Sequence, residues 1–172
     1  AVKTAVISGG NGGLGRALAA ALEAKGWHCV LMDVNIDGLD PGETRTPVQV
    51  DLTDTVALRQ AAARVVAARP SIDMVIYNAG VSQIGPFAGT DDASHRRVFE
   101  INYFAAVGMA RAFLSAVRQC GGTHLAISSV AGFAPLHNRT AYAASKHALE
   151  GFFGSLRSEE APFGVRTLIA AP

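Results

Sequence analysis

Cysteines, long apolar runs and clusters of charge are all scarce in this sequence. The two cysteines, Cys29 and Cys120, match no metal-binding spacing, and we expect both to serve as small hydrophobic residues in a reducing compartment. No apolar run reaches the ~18 residues of a membrane-spanning helix, and no basic run suggests nucleic acid as a partner. Because the chain opens on a strand-like run rather than a signal peptide, the cytoplasm is the expected location.

The overall composition is typical of one folded domain. Hydrophobic residues make up 49% of the 172 positions and charged residues 17%, a balance that argues against disorder. A chain of this length can bury a substantial core. Since no repeat, linker or low-complexity segment interrupts it, we predict a single domain over residues 1–172.

Short apolar runs alternate with helix-forming segments along the whole chain. The predicted strands are residues 3–8, 27–33, 47–50, 73–77, 124–128 and 165–170, and the predicted helices are 16–25, 54–68, 92–118 and 140–157. This alternation predicts an α/β fold, a Rossmann-type doubly wound parallel sheet with helices on both faces. In such open sheets ligands bind along the edge where the strands end.

A glycine-rich loop, Ser8-Gly9-Gly10-Asn11-Gly12-Gly13-Leu14-Gly15, follows the first predicted strand. Gly9 permits a tight turn, Gly13 leaves room for a pyrophosphate at the backbone, and Gly15 lets the helix pack near the strand. The positive end of that helix favours phosphates. A plain tight turn is the alternative, but the strand before the loop and the helix after it favour dinucleotide binding, with Asn11 and Leu14 in the same cradle.

An aspartate stands at the end of each of the next two predicted strands. Asp33 follows the glycine loop at the sequence spacing where a carboxylate accepts hydrogen bonds from the adenosine ribose. Because this carboxylate would repel a 2′-phosphate, the sequence predicts NAD rather than NADP. Asp51, followed by Leu52, is predicted to contact the adenine. A turn or helix-capping role for Asp51 is an almost equal alternative.

A tyrosine and a lysine, Tyr142 and Lys146, lie four residues apart in the last predicted helix. Side chains at this spacing share one helical face. A cation beside a phenol favours the phenolate and lowers the phenol pKa from its usual ~10, which suits proton transfer near neutral pH. The spacing alone also arises by accident on helices.

Taken together, these segments resemble the short-chain dehydrogenase/reductase family. The matching positions follow one order across the chain: the glycine loop, Asp33, Asp51-Leu52, Asn78-Ala79-Gly80, Asn102, Ser128-Ser129, and Tyr142 with Lys146. The resemblance implies hydride transfer between a nicotinamide cofactor and a secondary alcohol or ketone. It also implies that the segment Asn78-Ala79-Gly80 shapes the cofactor site.

The resemblance assigns a role to each catalytic position. Tyr142 would be the general acid/base, Lys146 would assist it and hold the nicotinamide ribose, and Ser129 would hydrogen-bond the substrate oxygen. Asn102 would hold a water in a proton relay, although a packing role inside its helix is the alternative. His137 is a further candidate for substrate contact, and His147 is expected at the surface or an interface.

The chain departs from the family pattern at its end, Ala170-Ala171-Pro172. The family continues through a substrate lid and a last strand, so we expect a truncated version of a longer protein. The resemblance also implies a homodimer or homotetramer, formed through the Tyr142 helix and the long helix before the fifth strand. The small residues Ala143, Ala144, Ala148, Gly151 and Gly154 would permit close packing there. A non-catalytic NAD(H)-binding regulatory or scaffold protein, and an epimerase or dehydratase acting on nucleotide sugars, are the alternative functions.

Overall fold

The computed structural model describes residues 1–172, which form six strands and five α-helices. The strands are β1 (Thr4–Ser8), β2 (His28–Asp33), β3 (Arg45–Gln49), β4 (Met74–Tyr77), β5 (Thr123–Ile127) and β6 (Arg166–Ala170). The helices are α1 (Gly13–Glu23), α2 (Thr55–Ala68), α3 (Asp92–Phe99), α4 (Ala105–Cys120) and α5 (Thr140–Glu160). None of these helices combines the length and apolarity needed to cross a membrane.

All six strands belong to one parallel sheet with the order β3-β2-β1-β4-β5-β6. The order reverses between β1 and β4, so the loops after these two strands diverge to opposite sides and leave a crevice at the carboxyl edge. The predicted α/β fold and parallel sheet are therefore confirmed.

Two apolar clusters hold the helices against the sheet. The larger one includes Val6, Val75, Phe113 and Phe153 and lies beneath α2, α4 and α5. The smaller one includes Ile7, Leu31 and Ile76 and lies beneath α1. Neighbouring strand residues such as Val6 and Ile7 enter different clusters because successive side chains point to opposite faces.

Buried polar groups lie on the face of the sheet that α4 and α5 cover. The Tyr77 hydroxyl and His124 Nδ1 are 2.7 Å apart, and His124 is fully buried. Glu160, 1% exposed, accepts hydrogen bonds from the Arg118 guanidinium. Burial lowers the pKa of His124 to about 4, and the Glu160 carboxylate opposes this shift.

The structure corrects the predicted third strand, which begins at Arg45 rather than Pro47. Proline cannot donate a hydrogen bond, which made it look like a strand boundary. In the structure β3 is an edge strand with β2 as its single neighbour, and Pro47 pairs in register with Leu31. Such a position tolerates proline because its nitrogen can face the open edge.

Helix boundaries also differ from the prediction. The first helix begins at Gly13, so two loop glycines belong to its first turn. The predicted helix over residues 92–118 is divided into α3 and α4 by a π-helical turn, Glu100–Phe104, and ends at Cys120 before Gly121 in the left-handed conformation. The remaining helix ends shift by at most three residues, which is usual where terminal turns fray.

Candidate active site

The glycine loop, which joins β1 to α1, forms the floor of the crevice. Gly9 has a φ of 65°, a conformation that glycine adopts without strain. A Cβ at Gly15 would lie 2.2 Å from the Gly9 carbonyl oxygen, so only glycine fits there. Gly13, in contrast, has no atom within 4 Å of the position its Cβ would take, so its surroundings are open.

The start of α1 is free to bind an anion. Its N-cap residue, Gly12, makes no side-chain capping hydrogen bond, and no acidic residue lies in the first turn. The first N–H groups of a helix have no partners inside the helix and carry its positive dipole end. The exposed residues Gly13 and Leu14 place these N–H groups at the loop surface.

Asp33 closes one end of the crevice. Its carboxylate accepts hydrogen bonds from the N–H groups of Asn11, at 3.0 Å, and Asn35, at 3.2 Å. Neither salt bridge of the chain involves Asp33. The Asn11 side chain accepts hydrogen bonds from the guanidinium of Arg16. Asn11 therefore lies between the Arg16 cation and the Asp33 carboxylate.

Asp51 takes the turn role that the sequence left open, and it also lines the crevice. Its Oδ1 accepts from the N–H of Thr53 at 2.9 Å and from the Thr53 hydroxyl at 2.7 Å. These bonds lower the pKa of Asp51. The neighbouring Leu52 and Thr53 lie on the same wall.

The segment Asn78-Ala79-Gly80 is fastened to the glycine loop by Ser8. The Ser8 hydroxyl accepts the N–H groups of Asn78 and Ala79, both at 2.9 Å. The Asn78 side chain donates to the Gly9 carbonyl at 3.2 Å. The two loops that diverge from β1 and β4 are therefore locked together at the switch point.

These walls enclose a cleft of about 750 Å³. Seven of the residues predicted to bind the cofactor line it: Gly9, Asp33, Asp51, Leu52, Asn78, Ala79 and Gly80. Its lining runs from the glycine loop to Glu100 and Ile101 in the π-helical turn. The structure thus brings most of the predicted cofactor residues into one concave surface.

Tyr142 and Ser129 meet at the same edge of the sheet. Ser129 follows β5, Tyr142 lies in the first turn of α5, and their side-chain oxygens are 3.5 Å apart. Ser129 also accepts the N–H of Ala131, which fixes its side chain. The neighbouring Ser128 is buried, and its N–H donates to Ala170 of β6.

Lys146 lies behind the tyrosine, one helical turn along α5. Its ammonium is 5.7 Å from the centroid of the Tyr142 ring and 3.5 Å from the carbonyl oxygen of Ile127. The side chain is 7% exposed, and burial lowers the pKa of its ammonium. Neither salt bridge of the chain involves Lys146, so no carboxylate neutralises it.

Asn102 is 1% exposed, in the π-helical turn, and its side-chain amide makes three hydrogen bonds within the chain. It accepts the N–H of Val81 at 2.7 Å and donates to the Val81 carbonyl at 2.9 Å and the Ser145 hydroxyl at 3.1 Å. The packing role named as the alternative thus describes its side chain here. Its part in a proton relay stays a prediction.

Two histidines near the site are both exposed. His147 makes a hydrogen bond to the Ala143 carbonyl one turn earlier in α5. His137 lies in the loop before α5, and its contact with substrate stays a prediction.

Comparison with known proteins identifies this arrangement. The family model for the short-chain dehydrogenases matches residues 3–172, nearly the whole sequence. The chain belongs to the short-chain dehydrogenase/reductase family. Within this family of oxidoreductases it is 36% identical over 182 aligned residues to dehydrogenase/reductase SDR family member 7B of Bos taurus. That alignment covers 97% of this chain and 56% of the bovine protein, so the chain spans just over half of that relative.

Solved structures of other short-chain dehydrogenases have the same fold. One from Streptomyces avermitilis superimposes with a TM-score of 0.96 at 32% identity and covers 100% of this chain and 66% of its own. A metagenomic short-chain oxidoreductase in complex with NADP superimposes with a TM-score of 0.92 at 30% identity, and the match covers 99% of this chain and 81% of the other. A 4-hydroxyisoleucine dehydrogenase complexed with NADH and succinate superimposes with a TM-score of 0.89 at 28% identity, and the match covers 98% of this chain and 78% of the other.

The sequence reading of this short-chain dehydrogenase missed several residues that shape the site. Ser8 stood inside the glycine motif, so its position was a usable signal. Gln83, Arg139 and Arg16 gave no signal, because their contacts join segments far apart in the chain. Arg97 and Ile101, which line the cleft, were read simply as part of a helix.

Proposed function

We propose that this protein is an NAD-dependent oxidoreductase that interconverts a secondary alcohol and a ketone, with residues 1–172 as its dinucleotide-binding and catalytic domain. The observation that carries this proposal is the cluster of Ser129, Tyr142 and Lys146 beside a cleft lined by the glycine loop. A hydroxyl, a phenol and a buried ammonium together can bind an oxygen and move a proton to or from it.

The cleft fits a dinucleotide in size and in the groups it offers. Glycines at the crevice floor leave the backbone accessible, with open space around Gly13. The uncapped start of α1 offers N–H groups to phosphates. Asp33 and Asp51 stand on the wall where the adenosine would bind, and the segment from Asn78 to Gly80 leads to the Lys146 ammonium, 3.7 Å from where a Gly80 Cβ would lie.

Asp33 supports NAD over NADP as the cofactor. Its carboxylate accepts only backbone N–H groups and keeps lone pairs free for ribose hydroxyls. A 2′-phosphate at that place would meet an unpaired negative charge. The Arg16 guanidinium is occupied by Asn11 and by the Asp37 carbonyl, so it does not neutralise Asp33 directly.

In the direction of reduction, Tyr142 donates its phenolic proton to the carbonyl oxygen of the ketone. Ser129 donates a hydrogen bond to the same oxygen and stabilises the negative charge that develops there. A nicotinamide held in the cleft would supply the hydride for the carbonyl carbon. Lys146 stabilises the resulting phenolate, because its buried charge has no carboxylate partner. Oxidation of the alcohol reverses each of these steps.

Turnover and binding, measured separately, test this function. Wild-type protein and the variants Tyr142→Phe, Ser129→Ala and Lys146→Met would be assayed with NADH and NADPH against a panel of ketones and alcohols, and NADH binding would be followed by fluorescence. We expect NADH-linked turnover in the wild type and its loss in Tyr142→Phe with binding retained. Tight NADH binding without turnover of any substrate would favour the regulatory alternative.

We also propose that the protein forms a homodimer or homotetramer through α4 and α5. The exposed face of α5 carries small residues, among them Ala144, Gly151 and Gly154, and the exposed Phe104 immediately precedes α4. We expect sedimentation of the wild type to give a dimer or larger species that Gly151→Arg converts to monomer. A wild type that sediments as a monomer would refute this.

A further inference from the structure

The helix that carries Tyr142 has no side-chain cap from its own end. α5 begins at Thr140, and the preceding residue, Arg139, makes no side-chain capping hydrogen bond. Gln83 provides one from 58 residues earlier in the chain. Its Oε1 accepts the N–H of Ala141 at 3.2 Å and the N–H of Tyr142 at 3.4 Å. Two of the free N–H groups at the start of the helix are therefore bound by one distant side chain.

Arg139 joins the same loop to the tyrosine ring. Its Nε donates to the Gln83 carbonyl at 3.2 Å, and its terminal nitrogen donates to the Ser82 hydroxyl. The guanidinium carbon lies 4.8 Å from the centroid of the Tyr142 ring. A planar guanidinium can donate hydrogen bonds along its edge while its face lies against an aromatic ring.

A backbone contact reinforces this connection. The N–H of Gly85 donates to the Asn138 carbonyl at 2.8 Å. Asn138 has a φ of 61°, the left-handed conformation that asparagine tolerates better than most residues. The chain therefore turns sharply just before Arg139 and presents this side chain to both Gln83 and Tyr142.

We propose that Gln83 and Arg139 are positioning residues for Tyr142. Gln83 fixes the backbone of the first turn of α5, and Arg139 fixes the aromatic ring. This inference rests on the proposed acid/base role of Tyr142. A general acid must meet the substrate oxygen within hydrogen-bond reach, and a displacement of about 1 Å in such a site can cost about 100-fold in rate.

A purely structural role for Gln83 and Arg139 would predict different effects of their replacement. Loss of a structural contact lowers the stability of the fold and affects cofactor binding and turnover only through the amount of folded protein. Loss of positioning lowers kcat while the affinity for NADH and the KM for the ketone stay close to wild type. The two explanations therefore separate when kcat, KM and the melting temperature are measured on the same variant.

The test compares Gln83→Leu and Gln83→Glu with Gln60→Leu in the full protein. Leucine removes the acceptor at similar size, whereas glutamate keeps an oxygen at the start of the helix, where a carboxylate is favoured. Gln60 is exposed on α2, so Gln60→Leu makes the same chemical change away from the site. Amide hydrogen exchange at Ala141 and Tyr142 is measured beside the kinetics, because it reports on the cap without requiring turnover.

We expect Gln83→Leu to speed exchange at both amides at least about tenfold and to lower kcat at least about tenfold, with the NADH affinity changed by less than about threefold. Gln83→Glu should recover most of both losses, and Arg139→Met should lower kcat without faster exchange at Ala141. Unchanged exchange in Gln83→Leu, or faster exchange with a wild-type kcat, would overturn the inference. The proposed function is judged by turnover of the wild type and of Tyr142→Phe, so its failure is recognised separately.

Discussion

The glycine loop permits a test that separates cofactor binding from folding. Gly13 and Gly15 lie two residues apart in the first turn of α1, but their surroundings differ. A Cβ at Gly15 would lie 2.2 Å from the Gly9 carbonyl oxygen, whereas a Cβ at Gly13 would meet nothing within 4 Å. The same change to alanine at each position therefore perturbs different properties of the protein.

The expected magnitudes follow from these distances. At Gly15 the methyl group overlaps a backbone atom that cannot move without the whole loop, so the free energy of unfolding should fall by about 3 kcal/mol. At Gly13 alanine fits and favours the helical conformation, so stability should change by less than about 1 kcal/mol. Because this methyl group would occupy the space proposed for the pyrophosphate, NADH binding should weaken by about 2 kcal/mol, roughly 30-fold.

Urea unfolding and NADH titration of both variants give the two free energies. Gly42→Ala is the control, since this glycine is exposed just before β3 and also has nothing within 4 Å of its Cβ position. The control should bind NADH as the wild type does. Wild-type affinity in Gly13→Ala would refute the proposed phosphate site, and wild-type stability in Gly15→Ala would refute the close contact between helix and loop.

Two further predictions concern cofactor choice and pH. Asp33→Ser removes the carboxylate proposed to repel a 2′-phosphate, so the ratio of kcat/KM for NADPH to that for NADH should rise at least about tenfold, equivalent to about 1.4 kcal/mol; an unchanged ratio in steady-state assays would exclude this role. His124 has a folded-state pKa of about 4, below its usual 6.5. The unfolded chain therefore binds a proton at this residue at higher pH than the folded chain does. The free energy of unfolding should fall by up to about 3 kcal/mol as pH falls from 6.5 to 4. Urea unfolding at each pH should show this slope in the wild type and a shallower one in His124→Gln, and equal slopes would contradict it.

The sequence was sufficient to predict the fold because its local signals agree. Apolar strands, glycine turns and amphipathic helices alternate in the order that a parallel sheet requires, and the structure has that sheet. The polar residues after β1, β2, β4 and β5 were expected at one edge for the same reason. The cleft that Asp33, Asp51 and Asn78 share follows from the strand order alone.

Features that depend on long-range contacts were not predictable. Pro47 looked like a boundary because the sequence does not reveal that its strand lies at the edge. The π-helical turn around Asn102 has no local sequence signature, and the residue was read as part of one continuous helix. Gln83 and Arg139 are ordinary loop residues until the fold brings them to Tyr142.

The most direct test of the central claim is a single-turnover measurement with Tyr142→Phe. NADH-loaded wild-type protein would be mixed with a ketone that it turns over, and the loss of NADH absorbance would be followed beside the same experiment on the variant. Phenylalanine keeps the ring but removes the only group proposed to give the substrate oxygen a proton. We predict that the variant binds NADH as tightly as the wild type and transfers hydride at least about 100-fold more slowly. A wild-type rate of hydride transfer in this variant would contradict the account.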